Sequence, residues 1–269
     1  MNNIVANFAQ ILEFARQLNL PVEKKRGIIR EYLQTKFIHD LYRLPQLKKL
    51  SFVGGTSLRL LRNLPRFSED LDFDNLELET QRLEKLFQTV LEGWKRENIT
   101  TEWIVNKTKS GVYFEIRLPD LLFELKITSN PKEKLRIKLD QAEHWRGQQT
   151  EVMLLNRFGF IEHVVTNTLN EVLVQKLVAY VRRVETQPRD LFDIVWLFAQ
   201  GARLEEKFMV VNGVTTVLED AREKFAQEGN PVSFGRRLQP FLFAVSAVQK
   251  LALFGSVLGQ LAILDQEHS

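Results

Sequence analysis

Residues 52–74, FVGGTSLRLLRNLPRFSEDLDFD, constrain this chain more than any other stretch. Phe52 and Val53 run into Gly54-Gly55-Thr56. An amphipathic segment follows through Leu58, Leu60, Leu61 and Leu64. Asp70 and Asp72 then alternate with Leu71 and Phe73. The pattern reads as strand, tight turn, helix, strand. Two glycines remove the Cβ atoms that would keep a phosphate chain off the backbone. Thr56 adds a hydroxyl, and the first turn of a helix presents unpaired N–H groups to anionic oxygens. Alternation puts Asp70 and Asp72 on one face of the second strand and Leu71 and Phe73 on the other. Paired carboxylates suit a hard cation such as Mg²⁺ that bridges protein and nucleotide phosphates. An isolated Asp-x-Asp is commonly a solvated strand edge, and an isolated Gly-Gly a bend. In this order, with a helix-length spacer and an apolar frame, they predict a phosphate-and-metal site. No G-x-x-x-x-G-K-[ST] occurs, so the segment is not a Walker loop, and it is not a dinucleotide fingerprint.

The flanks predict what surrounds this motif. Apolar positions recur at helical spacing over 3–19 and 25–42, with Pro21 and Pro45 as punctuation, and again over 77–96. Between 101 and 140 the period becomes two. Trp103-Ile-Val, Val112 to Leu118, Leu122 to Ile127 and Leu135 to Asp140 read as strands, with turns at Lys109-Ser-Gly and Ser129-Asn-Pro. From about Thr168 the pattern is helical to the end, least distinctly at 203–213. The expected class is α+β, a small mixed sheet with flanking helices followed by a mainly helical C-terminal half. The expected domains are 1–150 and 151–269, with the boundary falling somewhere in 145–170.

Composition narrows the chemistry. The chain has no cysteine, which excludes disulfides, thiol catalysis and Cys-ligated zinc and fits a reducing cytoplasm. Its histidines, His39, His144, His163 and His268, form no metal-ligand spacing and read as surface or interface residues. Net charge is only +3, so basic clusters matter more than the total. Three stand out: Arg59, Arg62 and Arg66; Lys132, Lys134, Arg136 and Lys138; and Arg182 with Arg183. Each suits the backbone of an RNA acceptor. MNNIVANFAQ lacks the basic and apolar regions of a signal peptide. Phe241–Leu264 is apolar, but Lys250 interrupts it, and a spanning helix needs about 20 predominantly apolar residues. A buried helix or helix pair is expected there, and no membrane association.

Gly-Gly-Thr-x-Leu followed by Arg66-Phe-Ser-Glu-Asp-Leu-Asp-Phe73 resembles the first motif of the AbiEii-type nucleotidyltransferases, the toxin half of abortive-infection toxin–antitoxin systems. It is similar to the MenT toxins and, more broadly, to the polymerase-β-like superfamily. A second match lies in Lys176-Leu-Val-Ala-Tyr-Val-Arg182 and Arg189-Asp190-Leu-Phe-Asp193. Together the matches run from about Arg30 to about Phe198. The resemblance implies a polymerase-β-like core that transfers a nucleotide from an NTP with Mg²⁺, or Mn²⁺, as cofactor. It also implies a tRNA 3′ end as acceptor and a separately encoded antitoxin as partner.

Residue roles follow from the motif and the resemblance together. Gly54, Gly55, Thr56, Arg66, Ser68, Lys176 and Arg189 are expected to bind nucleotide. Asp70 and Asp72 are expected to hold metal. Two-metal chemistry commonly uses a third carboxylate from a neighbouring strand, for which Glu115, Glu124 and Asp140 are available. The resemblance favours an acid at the end of the Ile-Lys-x-acid strand, hence Asp140, with Glu124 second. It assigns Lys176 as a clamp on the β- or γ-phosphate, and Asp190 to orienting Lys176, Arg189 or the attacking hydroxyl. Arg59, Arg62, Lys138, Arg182 and Arg183 are the expected RNA contacts. Two other readings remain open: a non-catalytic nucleotide- or RNA-binding module, and transfer onto a protein hydroxyl.

Overall fold

The computed structural model describes residues 2–45, 47–76, 78–108, 111–142, 145–228 and 231–268. The expected Lys109-Ser110 turn, Glu77 at the head of the third helical stretch, and His144 fall outside them. The chain forms two compact units, neither of them continuous in sequence. Unit 1 comprises Met1–Asn63, Phe67–Glu143 and Val152–Thr166, and unit 2 comprises Leu64–Arg66, His144–Glu151 and Asn167–Ser269.

Unit 1 opens with α1 (Asn3–Ala6) and α2 (Phe8–Gln17), then α3 (Lys25–Tyr42). In α3, Ile28, Ile29, Leu33, Phe37, Ile38 and Leu41 are fully buried, and Glu31, Gln34, Thr35 and Lys36 are buried too. A helix buried on every side is a core element. Next come β1 (Leu50–Val53), α4 (Gly54–Arg62), β2 (Leu71–Asn75) and α5 (Thr80–Arg96). The remaining elements are β3 (Glu102–Thr108), β4 (Gly111–Leu118), the single turn α6 (Leu121–Glu124) and β5 (Leu135–Ala142). A hairpin of β6 (Thr150–Arg157) and β7 (Phe160–Asn167) follows. The five-stranded sheet has the order β1-β2-β5-β4-β3. Its β2–β5 pair is parallel and the other pairs are antiparallel, so the expected small mixed sheet forms. Beneath it lies an aromatic core: Phe52 on Phe73, Phe73 on Phe87, and Phe87 on Phe37 and Phe114, each pair with ring centroids 5.6 Å apart.

Two local expectations are corrected. Leu122–Ile127 is not a strand. Leu121, Leu122 and Leu125 are buried at i, i+1 and i+4, a helical spacing, and Asp120 and Lys126 bracket the turn with left-handed φ of 59° and 55°. The hairpin at 150–167 was not anticipated. Its alternation is legible, but its two-residue turn is Phe158-Gly159 and lacks the usual Asn-Gly signal. Both residues have positive φ, 52° and 81°, as a type I′ turn requires. Phe158 accepts that conformation because its ring is buried edge-on against Tyr32, with centroids 5.6 Å apart.

Unit 2 is helical after the hairpin: α7 (Leu169–Arg182), α8 (Pro188–Ala199), α9 (Glu206–Val211), α10 (Val217–Glu228), α11 (Gly235–Leu238) and α12 (Phe254–His268). Tyr180 of α7 is fully buried. Its ring meets Phe254 of α12 at 5.1 Å, and Lys224 of α10 lies 4.9 Å over it. The apolar C-terminal stretch folds as a 3₁₀ segment, Val245–Leu253, leading into α12. By length and composition Val245–Asp265 could cross a membrane, with mean hydropathy 1.5. Leu251, Phe254, Leu258 and Leu261 are nonetheless buried within the unit.

Candidate active site

Gly54 ends β1 and begins α4, and two constraints meet there. Its φ is +74°, and a Cβ at this position would lie 2.1 Å from Oδ2 of Asp72. Only a residue without a side chain lets the helix start press against that carboxylate. Val53 is the N-cap of α4 and makes no side-chain cap hydrogen bond. Thr56, expected to offer its hydroxyl to phosphate, is fully buried and donates it to the Asp70 carbonyl. That bond ties the helix start to the head of β2. From the other side, Gln34 of α3 donates to the carbonyls of Ser68 and Glu69 at 3.2 and 2.9 Å, and Arg30 pairs with Glu69. Backbone hydrogen bonds and ion pairs thus anchor the loop that carries Ser68 and Asp70.

β2 then sets the carboxylates. Leu71 and Phe73 are buried, while Asp72 is half-buried on the opposite face. The parallel register places Asp72 beside Asp140 and Leu71 beside Leu139. Adjacent strands lie about 4.8 Å apart, so Asp72 and Asp140 form a side-by-side acid pair, with Asp70 two residues back along the same face. Asp74 continues that spacing and is only 2% exposed. The unbroken alternation from Asp70 announces it in the sequence. Lys138, two residues before Asp140, places its Nζ 2.6 Å from Asp140 Oδ2. Burial works against its ammonium, but the hydrogen bond to Asp140 and the charges of Asp140, Asp70 and Asp72 outweigh that and hold its pKa above the ordinary lysine value. One lysine therefore responds to all three carboxylates. The donor set is all oxygen and anionic, which fits a hard divalent cation. Among the described residues, no three acidic or histidine side chains converge closely enough to hold a metal ion as they stand.

Glu124 is corrected as the second choice for the third carboxylate. It sits on α6, exposed, and lines a cavity of about 830 Å³ with Gln88, Trp103 and Asp120, a cavity that none of Asp70, Asp72 and Asp140 lines. Glu115 on β4 is held by Arg117 and lies 3.9 Å from Arg136.

A second cluster forms within unit 2. Asp190 and Asp193 lie in the first turns of α8, which opens on Pro188. They are 1% and 0% exposed. Lys176 Nζ is 3.3 Å from Asp190 Oδ1 and 2.9 Å from Asp193 Oδ2. Arg66 grips Asp193 with two parallel bonds, Nε at 2.8 Å and a terminal nitrogen at 2.6 Å. Arg183 Nε meets Asp190 Oδ2 at 2.9 Å. Burial pushes Asp193 up, yet Arg66 and Lys176 prevail and hold its carboxyl below the usual range. Burial likewise lowers Lys176, but Asp193 and Asp190 outweigh both burial and the Arg66 charge, and its pKa is raised. The Lys176 side chain stays 14% exposed.

A family model described as the nucleotidyl transferase AbiEii toxin of type IV toxin–antitoxin systems matches residues 37–249. The chain belongs to this family. The match spans both carboxylate strands and the unit 2 cluster. Two Helicobacter pylori crystal structures share the fold. JHP933 aligns at TM-score 0.50 and 20% identity, covering 90% of this chain and 95% of that one. A protein described as a candidate nucleotidyltransferase aligns at TM-score 0.51 and 20% identity, covering 88% and 97%. No curated protein matches the chain.

Several expected contacts of this AbiEii family member are redirected by the structure. Arg59 is not on an open basic face. It is 3% exposed, with Nε 3.0 Å from Glu31, a carboxylate that Arg157 also approaches at 3.3 Å. Arg66 does not continue the Arg59–Arg62 face, because α4 ends at Arg62 and Asn63 turns the chain at φ 62°. It is buried against Asp193 and is not presented to a nucleotide. Lys138 faces Asp140, and Arg183 is drawn to Asp190. Arg62 and Arg189 are half-buried, and Arg182 is exposed. Asp193 and its pairing with Arg66 are the features the sequence reading missed. Both residues stood within quoted motifs, but nothing in their spacing joined positions 127 apart.

Proposed function

We propose that this protein is a divalent-cation-dependent nucleotidyltransferase that moves a nucleoside monophosphate from an NTP to a tRNA 3′ end, and that it acts as the toxin of a toxin–antitoxin pair. The observation that carries the reading is the in-register Asp72–Asp140 pair with Gly54 pressed against Asp72. Asp70, Asp72 and Asp140 are the residues to hold Mg²⁺ or Mn²⁺. Such a cation, when bound, neutralises and orients the transferred phosphoryl group.

The chain's own groups account for the rest. Gly54, Gly55 and the first turn of α4 present backbone N–H groups to the triphosphate. Thr56 serves by locking the Asp70 carbonyl, and Gln34 holds the backbone at Ser68. The acceptor hydroxyl attacks the α-phosphate and pyrophosphate leaves. Within unit 2, Lys176 is the proposed phosphate contact. Asp190 and Asp193 keep its ammonium charged and aimed, a preorganisation that removes reorganisation from the reacting step. Arg62, Arg182 and Arg189 are the remaining basic side chains proposed for RNA or nucleotide. Membership of a toxin–antitoxin family supports an antitoxin as partner.

Incubation with each labelled NTP, total tRNA and Mg²⁺ tests the reading. Label should enter tRNA, and transfer should fall steeply between roughly 50 and 200 mM salt as backbone contacts are screened. Asp72→Ala should reduce transfer by several orders of magnitude with unchanged circular dichroism. Label in protein instead of RNA, or full transfer by the variant, would overturn it.

A further inference from the structure

Lys138 occupies a position that an RNA contact does not explain. Its Nζ sits 2.6 Å from Asp140 Oδ2, and it also lies in the field of Asp70 and Asp72. Like charges side by side on adjacent strands repel, and Asp72 and Asp140 are in register. Without a metal, that face needs a cation of its own. The cross-strand partner of Lys138 is Glu115, but Glu115 is already engaged by Arg117 and approached by Arg136. The lysine is thus left to Asp140. It is not locked in place: its side chain is 40% exposed, and the ring of Tyr113 lies 4.4 Å from Nζ. That ring is a contact the ammonium can keep once the carboxylate is taken. A flexible four-carbon stem bearing a compact charge permits such an exchange, which a rigid guanidinium fork would resist.

We propose that Lys138 is the resident counter-cation of the Asp70–Asp72–Asp140 face, holding Asp140 Oδ2 until a divalent cation displaces it, and so sets the affinity of this protein for metal. The inference rests on the reading that these carboxylates bind a divalent cation. An ammonium bonded to Oδ2 and a metal ion competing for the same oxygen exclude one another. A metal ion that takes Asp140 Oδ2 must therefore first break this ion pair.

Calorimetric titration of the nucleotide-free, full-length protein with MnCl₂ tests it, comparing wild type, Lys138→Met and Lys138→Arg. The methionine keeps an unbranched stem of similar bulk and removes the charge. Lys138→Met should bind Mn²⁺ about 5-fold more tightly, the equivalent of about 1 kcal/mol for an exposed ion pair no longer in competition. Lys138→Arg should bind Mn²⁺ no more tightly than wild type, since the charge persists and the guanidinium fork resists displacement. In metal-free buffer of low ionic strength, Lys138→Met should melt below wild type, and saturating MnCl₂ should close the gap because the metal then does what the lysine did. Equal or weaker Mn²⁺ binding by Lys138→Met, or a melting difference that survives saturation, overturns the inference. If wild type binds Mn²⁺, Asp72→Asn abolishes that binding and Lys138→Met changes nothing, this inference falls alone and the metal reading stands. If neither wild type nor Lys138→Met binds Mn²⁺, both fall.

Discussion

Replacing Gly54 with alanine tests the close approach on which the active-site geometry depends. An added Cβ would lie 2.1 Å from Asp72 Oδ2 and 2.8 Å from its Cγ. Ordinary carbon–oxygen contact needs more than 3 Å, so the carboxylate must retreat by about 1 Å or the helix start must lift. The backbone adds its own penalty, since φ is +74° and a left-handed residue bearing a Cβ costs about 1–2 kcal/mol. Overpacking of this kind adds about 1–3 kcal/mol. A total loss of about 2–5 kcal/mol is expected in urea unfolding followed by circular dichroism. The effect on catalysis should be larger than the effect on stability. A misplacement of about 1 Å at a group holding the reacting centre can lower the rate about 100-fold, so kcat/KM for the proposed nucleotidyl transfer should fall by at least that factor. Gly93→Ala is the internal control. Nothing lies within 4 Å of a Cβ there, and removing glycine from the last turn of α5 should add up to about 1 kcal/mol with activity unchanged. A Gly54→Ala protein with wild-type stability and transfer would refute the argument that Asp72 is set by the bare backbone of residue 54.

Other outcomes follow from the unit 2 cluster. Asp193→Ala would remove the two-pronged partner of Arg66 and one of the two carboxylates on Lys176, both cations more than four-fifths buried; breaking a buried pair in this way costs about 3–5 kcal/mol, and a loss below 1 kcal/mol in urea unfolding would refute the assigned pairing. The same carboxyl predicts an acid limb: its folded pKa lies below the unfolded value of about 3.9, so its stabilisation is present above that value and is lost as pH falls through the folded pKa. Lys176 has the opposite sign. Its folded pKa is raised above the unfolded value of about 10.4, so its contribution is complete below that pH and lost as pH rises through the folded pKa. Urea midpoints measured from pH 2 to 11 should therefore fall at both ends and stay flat between about 5 and 9; a midpoint that moved within that window would point to a different titrating group.

Much of unit 1 was legible in the chain. The Gly-Gly turn, the Asp-x-Asp alternation and the helical periods of α3 and α5 are local signals, because strand and helix each impose a period on which side chains are buried. The far-face position of Asp140 was legible for the same reason, whereas its choice over Glu115 and Glu124 rested on the family resemblance. Even the missed hairpin had its alternation. It was hidden only by a phenylalanine in a left-handed turn, held there by a ring contact with a helix more than a hundred residues earlier.

Tertiary structure decided which charges face which. Arg59, Arg66, Lys138 and Arg183 look alike in sequence, as basic residues near motifs, and each was read as a ligand contact. Arg59 and Arg66 are spent on buried carboxylates, Glu31 and Asp193, at sequence separations of 28 and 127. Lys138 and Arg183 turn to Asp140 and Asp190. Thr56 likewise carries its hydroxyl to a carbonyl 14 residues on instead of to a phosphate. The physical reason is general. Period reports burial of apolar area, which is additive along one element, whereas an ion pair depends on the meeting of two side chains from different elements and leaves no periodic trace in either.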